Sequence, residues 1–160
     1  MKLTLAQLSS QLNQSALPTV IWLSGDEPLL VIEASDQVRA AAKQAGITER
    51  KVIEVDAKFD GAELIASNQS MSLFGDRELI ELRLSSKFND KGRKALVEYI
   101  ETANPDNCLL IISERIEAAQ TKAKWFNKVV DAGWWIPIWP IEHHQLAGWL
   151  KQRFAAMNLS

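Results

Sequence analysis

The chain has 160 residues, 47% of them hydrophobic and 24% charged, with a net charge of −2. That is the size of one domain with the start of a second, in a globular composition that needs neither disulfides nor metal to fold. The near-neutral charge argues against a large nucleic-acid footprint, which needs clustered lysines and arginines, and no stretch reaches the ~18 uninterrupted apolar residues of a membrane span.

Taken in order, Leu5, Leu8 and Leu12 recur at helical spacing and predict a short amphipathic helix. Residues 19–24 form a β-branched and aromatic run, a first strand. Gly25 breaks it, Asp26 is placed to cap a helix, and Pro28 suits that helix's first turn. Leu30, Ala34, Val38 and Ala41 mark the helix's buried face, and Gly46 stops it. Residues 52–55 read as a second strand, 61–70 as a helix and 79–84 as a third strand. Residues 85–94 are polar and charged, with Gly92 among them, and are expected to be a solvated, mobile loop. Leu96, Val97, Ile100 and Ala103 predict a helix that ends before the turn signal Asn104-Pro105-Asp106. Residues 108–113 are the most apolar strand, fit for the centre of a sheet covered on both faces. Residues 121–131 read as one helix closed by Gly133. Residues 135–139 form a last strand, and Pro137 inside it confines that strand to an edge. Strands alternating with helices predict an α/β fold: a mostly parallel sheet flanked by helices.

Residues 141–160 begin a separate amphipathic helix, with Leu146, Trp149, Leu150 and Phe154 on its apolar side. The expected division is residues 1–140 and 141–160, the second piece being incomplete. The single cysteine, Cys108, lies in an apolar run and fits a reducing cytosol. The first residues lack the apolar core of a signal peptide, so the expected location is cytoplasmic.

Most catalytic chemistry is missing. A strand, Gly25 and a helix is where a phosphate-binding loop would sit. Such a loop needs several glycines, a lysine and a hydroxyl. Asp26, Glu27, Pro28 and Leu29 stand there instead, two carboxylates and a residue without an N–H. Ser113, followed by Glu114, ends the apolar strand where a magnesium-binding aspartate is expected. Asp26, Glu27 and Asp56 also suggest the acidic pocket of a receiver domain, but the last strand offers no lysine. His143 and His144 are adjacent and cannot share a helix face, so no metal site is expected. Ser24, Ser113 and Cys108 lack a His and acid arrangement, and no cofactor is expected.

The unusual stretch is Gln69-Ser70-Met71-Ser72-Leu73-Phe74-Gly75, between a predicted helix and a predicted strand. Connectors of this kind run over the surface and favour small polar residues. Met71, Leu73 and Phe74 therefore either tuck into their own core or are offered to a partner's pocket.

Leu23-Ser24-Gly25-Asp26-Glu27-Pro28-Leu29-Leu30, then Gln69-Ser70-Met71-Ser72-Leu73-Phe74, the strand from Cys108 and Lys122-Ala123-Lys124-Trp125-Phe126 occur in an order and spacing that resemble the delta subunit of the bacterial DNA polymerase III clamp loader. The resemblance implies an AAA+/RecA-like ATPase fold without its phosphate-binding loop, followed by a helical lid that starts at residue 141. It implies no ATPase site. It implies a subunit that binds the ring-shaped sliding clamp (beta subunit) and promotes ring opening during DNA replication. Met71, Ser72, Leu73 and Phe74 would make the contact, with Gln69 and Ser70 as further candidates. The clamp-binding pattern begins with Gln, whereas counting back from Phe74 places Ser70 there. Other implied partners are the gamma/tau and delta prime subunits, with primed DNA reached only through the complex. The alternative is a receiver-like or generic α/β protein-interaction domain.

Overall fold

The computed structural model describes residues 1–69, 77–139 and 150–151. Five strands, β1 (Val20–Gly25), β2 (Glu49–Val55), β3 (Glu78–Leu84), β4 (Cys108–Ser113) and β5 (Trp134–Ile138), form one sheet in the order β2-β3-β4-β1-β5. Every neighbouring pair is parallel. Helices α1 (Leu5–Gln14) and α2 (Pro28–Gln44) cover one face. Helices α3 (Ala62–Gln69), α4 (Asp90–Glu101) and α6 (Lys124–Asp131) cover the other, and α5 (Ala118–Thr121) is one turn leading into α6.

Alternate residues of each strand feed two cores. Ile21, Leu23, Leu110, Ile136 and Ile138 pack under α1 and α2 with Leu30, Ala34 and Val38. Val20, Trp22, Leu82, Leu109 and Ile111 pack under α3, α4 and α6 with Leu64, Leu96 and Phe126. β4 lies at the centre, which explains its unbroken apolar run.

Local chemistry sets the ends of the helices. Thr4 and Gln7 form a reciprocal capping box on α1: Thr4 Oγ1 accepts from the Gln7 N–H at 3.2 Å, and Gln7 Oε1 accepts from the Thr4 N–H at 2.9 Å. α2 ends in a Schellman turn, with Gly46 at φ +88° and the Ile47 N–H donating to the Ala42 carbonyl at 3.0 Å.

Four expectations need correction. Glu27, not Asp26, precedes α2, and no side chain caps it. Asp26 turns away and its Oδ1 accepts from the Arg115 N–H at 3.2 Å. The region 85–94 is not a solvated loop. Phe88 is 3% exposed, Asn89 Oδ1 caps α4 by accepting from the Gly92 N–H at 2.7 Å, and α4 already starts at Asp90. The helix expected over 121–131 is broken at Lys122 and Ala123 into α5 and α6. The second strand begins at Glu49, three residues earlier than its apolar run, because β3 pairs with it from Glu78.

Pro137 does lie on an edge strand. Trp135 exchanges backbone hydrogen bonds with the chain start on the outer side: its carbonyl accepts from Leu3 at 2.8 Å and its N–H donates to Met1 at 2.9 Å. Pro137, two residues on, faces the same outer side, where a missing N–H breaks no ladder bond.

Gly133 marks the tightest approach to backbone among the described glycines. A Cβ there would lie 1.9 Å from the Val20 carbonyl oxygen of β1, a backbone atom that cannot swing aside. Gly133→Ala is expected to cost about 3 kcal/mol by overpacking. Urea unfolding checks this; a midpoint equal to wild type would show that β5 can move outward freely.

Candidate functional site

The sheet has two edges at opposite ends of its strands, and the candidate sites lie there. At the carboxyl edge, between β4 and β1, chain connections diverge to the two faces, which is where open α/β sheets hold ligands. A crevice of about 800 Å³ lies there, lined among others by Gly25, Asp26, Pro28, Arg83, Ser113 and Glu114.

The polar groups around this edge are already committed to the fold. Trp22 Nε1 donates to Ser113 Oγ and Trp135 Nε1 donates to Ser24 Oγ, both at 2.9 Å. The Ser113 hydroxyl in turn donates to the Glu114 carbonyl at 2.9 Å. Gly25 serves close packing, since a Cβ there would sit 2.4 Å from the Ile138 carbonyl oxygen. Asp26, Glu27 and Pro28 bring two carboxylates and no Pro28 amide to the turn where a phosphate would need donors.

The receiver-like alternative fails on topology. Asp56 follows β2 at the far edge, and β3 and β4 separate that strand from β1, where Asp26 lies. A receiver sheet runs in the order 2-1-3-4-5, which places its first two strands side by side. Asp56 instead closes a local turn, its Oδ1 accepting from the Lys58 N–H at 2.9 Å.

At the opposite, amino edge, α3 ends at Gln69 and β3 begins at Glu78. Ser70, Met71, Ser72, Leu73 and Phe74 lie outside the described residues, as does the side chain of Gln69. The two flanks are described, and both are tied down. Ser67, in the last turns of α3, accepts from Lys51 Nζ of β2 at 2.8 Å and donates to the Glu63 carbonyl at 2.9 Å. Lys51 also pairs with Glu63 at 3.6 Å. On the other side, the Arg77 guanidinium donates to the Ala45 carbonyl at 2.6 Å and to the Asp106 carbonyl at 3.1 Å. The Arg77 carbonyl accepts from the Glu49 N–H at 3.2 Å, and the Glu78 N–H donates to Asn107 Oδ1 at 3.0 Å. The sequence reading missed Arg77, Lys51 and Ser67. Arg77 carried one weak signal, a cation three residues after Phe74, and Lys51 and Ser67 carried none.

Between the two edges lies a buried carboxylate. Glu81 of β3 is 0% exposed and meets three guanidinium groups: Arg39 at 2.9 Å, Arg83 at 2.6 Å and Arg50 at 3.3 Å. Burial pushes the Glu81 carboxyl up. Hydrogen bonds from Arg39 and Arg83, attraction to Arg39 and the bond from Arg50 outweigh it, and the net shift is down. Arg39 also pairs with Asp36 at 2.7 Å.

Among the described residues, no group of three or more His, Cys, Asp or Glu side chains is placed to hold a metal ion. No described helix is long and apolar enough to cross a membrane.

A parallel sheet in the order β2-β3-β4-β1-β5, with a crevice at the carboxyl edge between β4 and β1, is the α/β core of AAA+-like, ATPase-type domains. The fold is similar to that of the Bacillus subtilis DNA clamp loader delta protein, with a TM-score of 0.70 and 13% identity over 91% of this chain and 45% of that one. The family model "DNA polymerase III, delta subunit" matches residues 22–134. The chain is 31% identical to DNA polymerase III subunit delta of Haemophilus influenzae over 156 residues, and 29% identical to that of Escherichia coli over 154 residues. It belongs to the DNA polymerase III delta subunit family. It spans 45% of the length of each of these two relatives.

Proposed function

We propose that this chain is the clamp-gripping part of a clamp-loader subunit. Met71, Ser72, Leu73 and Phe74 bind the DNA polymerase sliding clamp, with Gln69 and Ser70 beside them, and the contact promotes ring opening during DNA replication. Membership of the delta family is the observation that carries this reading. The anchored flanks at the amino edge support it, because they present a short apolar stretch from a fixed base. The action is mechanical: the element favours an open ring only as far as it binds the open or strained clamp better than the closed one. One buried Leu and one buried Phe contribute roughly 3–6 kcal/mol gross, before the costs of association. That scale suits gripping and biasing an interface.

The partners in this reading are the sliding clamp, the gamma/tau and delta prime subunits, and primed DNA through the assembled complex. Residues 1–140 form the ATPase-like domain and 141–160 begin the lid. The site of action is the cytoplasm.

The subunit has no nucleotide chemistry of its own. The carboxylates of Asp26 and Glu27 and the missing Pro28 amide oppose a phosphate at the crevice. Calorimetric titration with the same organism's sliding clamp is expected to give saturable binding, and titration with Mg-ATP to give none. Silence with the clamp would overturn the clamp reading. A micromolar dissociation constant for Mg-ATP would overturn the exclusion of nucleotide.

A further inference from the structure

We infer that β2, the outermost strand on one side of the sheet, pairs antiparallel with β2 of a second copy of this chain, about a two-fold axis at Val52. The two outermost strands differ. β5 is closed on its outer side by the hydrogen bonds of Met1 and Leu3 with Trp135. β2 ends the sheet on the other side, and no described strand lies beyond it. The Glu49 N–H donates to the Arg77 carbonyl at 3.2 Å, and the Val55 carbonyl accepts from the Ser85 N–H at 3.0 Å. Glu49, Lys51, Ile53 and Val55 therefore turn their backbone groups toward β3. Those of Arg50, Val52 and Glu54 point outward, and among the described residues nothing bonds to them. Such a row is a template for another strand.

Charge selects the occupant. Charged side chains on an outermost strand commonly repel a second copy. Here the charges are antisymmetric about Val52: Arg50 lies two residues before it and Glu54 two residues after. In an antiparallel pair centred on Val52, each Arg50 faces Glu54 of the partner subunit. Val52, 39% exposed, faces its own counterpart at the axis. Glu54 is exposed and pairs with no cation among the described residues. Arg50 bonds Glu81 yet keeps 45% of its side chain exposed, so it can meet a second carboxylate. The same register sets outward backbone groups against outward ones, the condition for hydrogen-bonded antiparallel pairs. Centring the pair on Arg50 or on Glu54 instead sets like charges face to face. The contact is isologous, closes after two copies and joins the two sheets into one. A seam of one strand pair is smaller than the roughly 1,000 Å² of a permanent interface, so the dimer is a reversible one.

Sedimentation equilibrium on the chain is expected to show a monomer–dimer equilibrium with a dissociation constant on the order of 100 μM. Glu54→Lys sets a cation against Arg50 of the partner subunit and is expected to weaken the dimer about tenfold or more. Thermal unfolding on the same samples checks that the variant is folded, as the exposure of Glu54 leads one to expect. Cross-linking reads the register. Residues directly opposite in a hydrogen-bonded pair have Cα atoms about 5.5 Å apart, within reach of a disulfide. Oxidation with copper phenanthroline is expected to link Val52→Cys into a covalent dimer. Glu54→Cys is expected to stay unlinked, because its two copies would lie about 14 Å apart along the strands. Cys108 is buried and does not compete. A chain that stays monomeric up to about 1 mM would overturn the inference. So would a dimer that Glu54→Lys leaves intact, or cross-linking at position 54 as fast as at 52.

Discussion

Replacing Leu73 and Phe74 together with alanine is expected to abolish binding to the sliding clamp and leave the domain folded. The two side chains are proposed as the apolar anchor of the contact, and a few buried anchors dominate most interfaces. Removing both is expected to weaken binding at least about a hundredfold, since each forfeits roughly 1.5–3 kcal/mol of burial. Buried positions respond in the opposite way: truncating a core Leu or Phe costs about 2–5 kcal/mol of stability each. Leu64 of α3 and Ile80 and Leu82 of β3 belong to the described core on this side of the sheet. Thermal unfolding and calorimetric binding on one sample therefore divide the readings. A collapsed melting temperature would make the pair core residues, and full clamp affinity in the double variant would move the contact elsewhere.

The second large effect is expected at Glu81. Among the described residues, its carboxylate alone meets Arg39, Arg50 and Arg83 together. Glu81→Ala leaves three guanidinium groups crowded around an empty acceptor. Losing one side of a buried ion pair costs about 3–5 kcal/mol. These arginines are 23–45% exposed and water recovers part of that, so about 2–4 kcal/mol is expected. The pH dependence has a definite sign. The folded carboxyl titrates below its ordinary value of 4.5, so its stabilisation is fully present above about pH 4.5 and is lost as pH falls through the lower folded value. Glu81→Gln is expected to flatten the acid limb of the stability curve. An unfolding midpoint that stays equal between wild type and Glu81→Ala from pH 7 down to pH 3 would show that the cluster stabilises nothing.

Much of the fold was legible because the strands carry their burial in their composition. Residues 19–24 and 108–113 are apolar on both sides, and Pro137 marked its strand as an edge. The errors arose where a local signal was outbid by tertiary contact. The 85–94 stretch looks solvated by charge, yet Phe88 packs edge-on against Trp22 with ring centroids 5.9 Å apart, and Asn89 caps the next helix. Asp26 has a cap-forming side chain, but Arg115, 89 residues later, supplies the amide it accepts from. Glu81 alternates in sequence as a solvent-facing residue would, and only the arrival of Arg39 from α2 and Arg50 from β2 allows it inside. The apolar segment itself stood out in the sequence. The contacts of the residues that follow it did not, because Ala45, Asp106 and Asn107 become neighbours of Arg77 and Glu78 only once the sheet is assembled.

The two edges of the sheet sit at opposite ends of the same strands, and that separation has a mechanical meaning. The seven residues of β3 put about 20 Å between the amino-edge flanks and the crevice. The strands between them are densely packed, hydrogen-bonded on both sides over most of the sheet, and resist bending. A force applied at the carboxyl edge, where β5 ends at Ile138, therefore reaches the amino edge as rotation of a stiff plate. The described flanks at Ser67 and Arg77 would then move as the tip of a lever whose arm is the sheet itself.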